Sequence, residues 1–175
     1  MKKINVLLIV TLICLISCSD GGDKDSENND VFGTIQLSGE DTATIGSSLK
    51  VGNINLDGLD TTGTTKSVTL SDENTSIVGG EVESTNFSNA FIIVASEFTL
   101  EDNTTAQKVI SMTIVSNSTE FRYGCLTPSN SSGFIDCGTG LKVDKDKKEV
   151  VFKNTTVENT ETGTILTMNG TITWN

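Results

Sequence analysis

The feature that most constrains how this chain can fold is a two-residue hydrophobic period. In the stretch TILTMNGTITW, one face carries apolar residues or glycine and the other carries threonine and asparagine; the first face consists of Leu166, Met168, Gly170, Ile172 and Trp174. Side chains alternate between the two faces of a β-strand, so an apolar residue at every second position indicates a strand buried on one side. Similar alternation occurs within residues 110–114, 121–125 and 150–152.

The spacing of the turn residues predicts the fold class. Glycine and asparagine interrupt the apolar alternation about every 8 to 15 residues, which is typical of short antiparallel strands in a sandwich or barrel. We therefore expect an all-β protein with a single antiparallel β-sandwich, or alternatively a β-barrel, of about eight to ten strands. Turns are expected near Gly39-Glu40, Asp57-Gly58, Gly79-Gly80, Glu101-Asn103, Asn117-Ser118, Asp144-Lys147 and Asn159-Gly163.

The dipeptide Asn169-Gly170 allows two interpretations. An Asn-Gly pair is a strong signal for a two-residue hairpin turn. The apolar alternation nevertheless runs through it without interruption. We therefore expect one continuous last strand, with Gly170 at a bulge or at a point of close packing.

The amino terminus has the three parts of an export signal. Lys2 and Lys3 precede an apolar run from Ile4 to Ile16, which is too short to span a bilayer comfortably but suits the core of a signal peptide. The run ends in Leu-Ile-Ser-Cys, which resembles the lipobox of bacterial lipoproteins. The resemblance implies that residues 1–17 are removed and that Cys18 becomes the new amino terminus, anchored to the membrane by a diacylglycerol and fatty acids such as palmitate.

The segment after the cysteine is acidic and polar. Residues 18–30 contain five acidic side chains against one lysine, and none that is aromatic or β-branched. Such a segment buries too little apolar surface to order itself, so we expect a flexible tether. A cysteine followed by acidic residues also resembles the export signal of Bacteroidota surface lipoproteins, which implies an outer-membrane anchor at the cell surface. The rest of the chain, 31–175, has the length of one all-β domain.

The charge balance excludes one class of partner. The whole chain carries a net charge of −11, and removal of Lys2 and Lys3 leaves 10 basic against 23 acidic side chains, a net charge of −13. Affinity for nucleic acid depends on neutralising phosphates with lysine and arginine. We therefore expect no nucleic-acid partner.

The four cysteines divide into two groups. The lipobox resemblance implies that Cys14 leaves with the signal and that Cys18 carries the lipid, which leaves Cys125 and Cys137 to form a disulfide. Exported domains use disulfides, and closing a loop of this size stabilises by roughly 3 kcal/mol. The alternative is a metal site on the two thiolates, but zinc sites of this kind take four cysteine or histidine ligands, and the chain has no histidine.

The lack of histidine also removes most enzyme classes. No Ser-His-Asp or Cys-His arrangement can be built, and none of the acidic residues lies in an apolar setting that would suit acid–base catalysis. We expect neither an enzyme nor a cofactor. A weak candidate calcium site remains in VDKDKKE, where Asp144, Asp146 and Glu149 supply oxygen ligands, although a turn that tolerates acidic residues is the simpler interpretation.

Two further candidate sites concern carbohydrate. The triplets beginning at Asp41 and Asp60 resemble the O-glycosylation motif of exported Bacteroidota proteins, which would make Thr42 and Thr61 the acceptors. Trp174 and Tyr123 can in principle stack on sugars, but both lie in phase with apolar neighbours, so we expect them in the core.

Together these features predict a lipid-anchored envelope protein whose β-domain is a binding or structural module. Its expected partners are the membrane, through the lipid, and an envelope protein or a glycan. The alternative is a periplasm-facing inhibitor or assembly factor, in which an acidic face blocks or guides another protein.

Overall fold

Strands dominate the structure, as the two-residue period predicts. The computed structural model describes residues 31–56, 67–99, 106–129 and 133–175. The elements within these residues are β1 (Gly33–Ser38), α1 (Thr42–Ile45), β2 (Ser48–Val51), β3 (Asn53–Asn55), β4 (Ser67–Ser71), β5 (Thr75–Val78), β6 (Glu81–Ser84), β7 (Ala90–Thr99), β8 (Ala106–Ser116), β9 (Thr119–Thr127), β10 (Lys142–Asp144), β11 (Glu149–Asn159) and β12 (Ile165–Thr173).

Ten of these strands form one antiparallel sheet. Its order is β2-β1-β12-β11-β9-β8-β7-β4-β3, and β10 pairs with β11 beside this path. The two ends of the sheet, β2 and β3, are consecutive in the chain and separated only by Gly52. The sheet therefore curls almost completely around and is barrel-like, which is the second of the two architectures that the sequence allows. The strands β5 and β6 form a separate hairpin.

The strand count exceeds the expected eight to ten, for local reasons. β2 and β3 are two segments of one bent strand, and β10 is only three residues long. The helix α1 has four residues and no buried side chain, so it is too short to show a helical period in the sequence.

The expected turns lie where the sequence places them, as far as the described residues extend. Asn117 and Ser118 have φ values of 50° and 64° and join β8 to β9, as a two-residue turn of the I′ type requires. Turns also follow Gly39, Gly79, Asp144 and Asn159. The two remaining predicted turns, at Asp57-Gly58 and Glu101-Asn103, lie outside the described residues.

The last strand is continuous through Asn169-Gly170, as expected. A Cβ at Gly170 would lie 2.5 Å from the backbone oxygen of Thr34 in β1, so only glycine lets the two strands approach this closely. The irregularity in register lies instead on the partner strand β11, between Phe152 and Thr155.

The core fills the inside of the curled sheet. The inward side chains of β12 that the sequence identifies, Leu166, Met168 and Ile172, are all fully buried. Tyr123 is 2% exposed, and Trp174 packs against the core from its edge. Both aromatic residues therefore serve packing, as the phase of the alternation predicts.

Candidate functional site

The two ends of the curled sheet meet along a boundary between β2-β3 and β4, here called the seam. The barrel closes along only part of this seam. β3 pairs with β4 from Asn55↔Thr69 to Asn53↔Ser71, and the backbone N–H of Gly52 donates to the oxygen of Ser71 at 2.9 Å. Beyond this point β2 pairs only with β1. The seam therefore opens at Gly52, and β2 has one free edge along its length.

A cavity of about 490 Å³ lies beside this free edge and is here called the slot. One wall is formed by Ser48, Leu49 and Lys50 of β2 and by Gly52, which follows the strand. The other wall is formed by the β4–β5 turn, the start of β7 and the end of β8, with Val31 and Ile45 completing the lining. The buried side chains of Leu49, Phe91 and Ile114 give it an apolar floor, as is usual for ligand sites in the mouths of β-barrels.

Asp72 fixes the wall opposite β2. Its Oδ2 accepts the backbone N–H of Phe91 at 2.7 Å and the hydroxyl of Thr75 at 3.0 Å, and its Oδ1 accepts the backbone N–H of Asn74 at 2.8 Å. The pairing of β7 with β4 ends at Ile92, so the carboxylate of Asp72 satisfies the backbone N–H of Phe91 in place of a strand partner. Asp72 therefore ties the β4–β5 turn to the start of β7 as one wall of the slot.

The rim of the slot carries one charge on each wall. Lys50 extends from β2 and Glu73 from the β4–β5 turn, and both side chains are exposed. Within the described residues neither side chain makes an ion pair. The rim thus offers one cationic and one anionic group to a bound partner.

Helix α1 lies at the β8 side of the slot, and hydrogen bonds at the helix and just before it hold it there. The hydroxyl of Ser116 in β8 donates to the backbone oxygen of Thr44 at 3.0 Å. Just before the helix, Oδ2 of Asp41 accepts hydrogen bonds from Tyr123 (2.8 Å), Asn159 (3.2 Å) and Thr164 (2.6 Å).

The surroundings of Asp41 and Tyr123 shift both pKa values. Burial disfavours the carboxylate of Asp41, but the hydrogen bonds from Thr164, Tyr123 and Asn159 outweigh it, and its pKa lies below the usual value. Burial, together with the hydrogen bond to Asp41 and the negative charge of that residue, raises the pKa of Tyr123. Asp41 is therefore a charged anchor for the β1–α1 connection.

Only one of the two predicted O-glycosylation residues, Thr42, lies in the part of the chain that the structure describes. Thr42 is the first residue of α1, and its hydroxyl donates to the backbone oxygen of Gly39 at 2.7 Å. The preceding Asp41 has the structural role described above, which gives the Asp-Thr-Ala triplet an explanation other than glycosylation. Thr61 and the lipidation residue Cys18 lie outside the described residues.

The predicted disulfide is present and secures a segment here called the strap, residues 133–141. Cys137 in the strap is bonded to Cys125 in β9. The strap lies between β9 and β11: the oxygen of Ile135 accepts the N–H of Leu126, and the oxygen of Gly140 accepts that of Lys153. β9 and β11 pair directly at only two positions, so the strap supplies much of the pairing between them.

Two of the three candidate calcium ligands, Asp144 and Glu149, are cross-strand partners, but a lysine binds between them. Nζ of Lys142 lies 3.4 Å from Asp144 and 2.7 Å from Glu149, so a lysine lies where a cation would have to bind. The backbone N–H of Lys147 and the nearby lysines lower the pKa of Asp144. Across the described ranges, no group of three or more histidine, cysteine or acidic residues can hold a metal ion. Asp146 lies in the β10–β11 turn.

Sequence reasoning missed the slot, although one signal pointed to it. In SLKVGNIN the buried positions are Leu49 and Val51, and the next core-packed residue is Ile54 rather than residue 53. The alternation therefore slips by one residue at Gly52. A slip of phase at a glycine indicates a bend or bulge in a strand, which is where the seam opens.

Comparison with known proteins gives no relative. No protein-family model, no curated protein and no solved structure matches the chain. In the part of the chain that the structure describes, no helix has the length and apolar character needed to cross a membrane.

Proposed function

We propose that this protein is a lipid-anchored binding module of the bacterial cell envelope, exposed at the cell surface, and that the slot is its binding site. The observation that carries the proposal is the open seam: a cavity of about 490 Å³ with an apolar floor and a charged rim. Ligand sites commonly combine an apolar lining with a few polar groups that fix orientation.

The slot is suited to binding rather than to catalysis. Asp72 accepts three hydrogen bonds and is committed to holding the wall. Glu73 and Lys50 are exposed on opposite walls of the rim, rather than together inside an enclosed apolar cleft. We therefore assign the slot no reaction.

The position of Val31 relates the slot to the proposed anchor. Val31 lines the slot and follows Cys18 by 13 residues. A chain of that length reaches at most about 45 Å when fully extended. A lipid on Cys18 would thus keep the slot close to the membrane, within reach of envelope proteins and of glycans at the surface.

Two tryptophan substitutions test the binding site. Ala90 lines the slot, and Ala90→Trp places a bulky side chain at it; Ala43 is exposed on α1 outside the slot, so Ala43→Trp is the matched control. The full-length protein, purified from membranes in detergent, is screened against arrayed glycans and against envelope proteins from the same cells. We expect Ala90→Trp to lose the bound species and Ala43→Trp to retain it.

The outcome is decisive in both directions, provided that both variants melt like the wild type. Equal retention by the two variants would show that the slot is not the binding site. No retained species in either partner class would overturn the binding function itself.

A second experiment tests the location. Intact cells are treated with a protease and compared with lysed cells, with a periplasmic protein as the leakage control. Loss of the domain from intact cells supports surface exposure, whereas survival until lysis supports the periplasm-facing alternative. Cys18→Ser should release the protein from the membrane fraction, and membrane retention of that variant would contradict the lipid anchor.

A further inference from the structure

We infer that the slot binds an extended peptide segment of another protein, which adds as a strand to the free edge of β2. This inference rests on the proposed binding function of the slot and names the chemistry of the partner. It follows from the orientation of backbone groups along the seam, from the apolar floor and from the charges on the rim.

The backbone groups of β2 alternate between the two sides of the strand. The oxygen of Ser47 accepts the N–H of Leu37 in β1, whereas the N–H of Gly52 points the other way, to Ser71 of β4. Since direction repeats every second residue, the backbone groups of Ser48 and Lys50 face the same side as those of Gly52. That side is the slot.

These groups have no partner within the described residues. The pairing of β2 is confined to β1, and no backbone hydrogen bond from Ser48 or Lys50 crosses the seam. A donor and an acceptor repeated at two-residue spacing along an edge is the template for an added strand. An extended peptide supplies the complementary pattern, and it would continue the line of β4 beyond Ser71.

The floor determines which side chains such a peptide carries. A strand beside β2 directs alternate side chains into the barrel, toward Leu49, Phe91 and Ile114, and the others toward solvent. The inward positions are therefore apolar. Proline is excluded at positions whose N–H must pair with β2.

Charge and composition indicate that the peptide comes from another protein. The tether of this chain, Ser19 to Asp30, has no aromatic or β-branched residue to fill the apolar floor, and five of its side chains are acidic. A mature chain with a net charge of −13 repels another copy of itself. We therefore expect a neutral to basic segment, with a basic side chain near Glu73.

A pair of substitutions at Lys50 isolates the backbone donor. Lys50→Pro and Lys50→Ala both remove the ammonium group, but only proline removes the N–H that faces the slot, and proline is tolerated on edge strands in this orientation. Peptides are selected from a random phage-displayed library on the full-length protein in detergent, synthesised, and titrated by fluorescence anisotropy.

The expected result is a peptide family with apolar residues at alternate positions. Lys50→Ala lacks the rim charge but keeps the backbone N–H, so it is the reference against which the effect of proline is measured. Lys50→Pro should weaken binding by at least about tenfold, as loss of a hydrogen bond at the strand edge implies. Equal binding by the two variants would overturn the inference.

A scan of the peptide keeps the test independent of how Lys50→Pro folds. Methylating the peptide nitrogens one at a time should abolish binding at every second position and leave the intervening positions unaffected; a flat profile contradicts strand addition. If the library and a peptide of residues 19–30 both fail to bind, while Ala90→Trp still removes a glycan or protein, strand addition is wrong and the binding function stands.

Discussion

The phenolic hydroxyl of Tyr123 donates a hydrogen bond to Oδ2 of Asp41 at 2.8 Å, although 82 positions separate the two residues in the chain. Asn159 and Thr164 donate to the same oxygen. One carboxylate thus joins the β1–α1 connection to β9 and to the β11–β12 turn. The position of α1 beside the slot depends on this junction.

Removing the carboxylate should destabilise the protein more than removing the phenol. Asp41→Ala leaves three donors without their acceptor, and we expect the free energy of unfolding to fall by about 3 kcal/mol; Tyr123→Phe removes one donor and should cost about 1 kcal/mol. Urea denaturation measures both values. Asp146→Ala in the exposed β10–β11 turn is the control and should change little; an equally small effect of Asp41→Ala would contradict the junction.

The same carboxylate should make stability sensitive to acid. The folded pKa of Asp41 lies below its ordinary value, so its contribution is complete above about pH 4, the unfolded pKa, and is lost as the pH falls through the folded pKa. Melting temperatures measured from neutral pH downward should decline less steeply for Asp41→Asn than for the wild type. Parallel curves would show that Asp41 is not responsible.

Tyr123 should resist ionisation while the protein is folded. It is the only tyrosine in the chain, so tyrosinate absorbance reports on this residue alone. Its folded pKa is raised, so the stabilisation is present below the unfolded value of about 10 and is lost as the pH rises through the folded pKa. Ionisation of the native protein should begin above about pH 10. An ordinary titration curve, identical in urea and in buffer, would contradict the burial of the phenol and its hydrogen bond to Asp41.

Loss of the disulfide should destabilise the strap. The bond between Cys125 and Cys137 spans 12 positions, and replacing both cysteines by serine should lower the free energy of unfolding by roughly 3 kcal/mol. Denaturation with and without a thiol reductant measures the effect. The reductant should lower the stability of the wild type to that of the double variant and leave the double variant unchanged.

Two glycines should differ sharply in their tolerance of alanine. At Gly170 the new Cβ meets the backbone oxygen of Thr34 at 2.5 Å, whereas at Gly124 it meets the ring of Phe134, a 42% exposed side chain that can move. Gly170→Ala should therefore cost about 3 kcal/mol and Gly124→Ala about 1 kcal/mol or less. Thermal melts compare the two, and the reverse order would refute the close approach of β12 and β1.

Local alternation was enough to predict the strands and their buried faces. A strand exposes successive side chains to opposite sides, so Leu166, Met168 and Ile172 identify their own inward face without knowledge of the partner strand. The same holds for Asn117-Ser118, whose turn depends on two neighbouring residues, and for the cysteine pair, which is close in sequence.

The sequence by itself therefore determined the fold class, most turns and the disulfide, because each of these depends on residues near one another in the chain. Tertiary structure alone decided the slot, the partner of the close approach at Gly170 and the role of Asp41. The slot brings together β2, the β4–β5 turn, β7 and β8, and Asp41 finds its partners 82 to 123 positions away. Such contacts depend on how the whole sheet curls and on where its pairing ends, which no local pattern specifies.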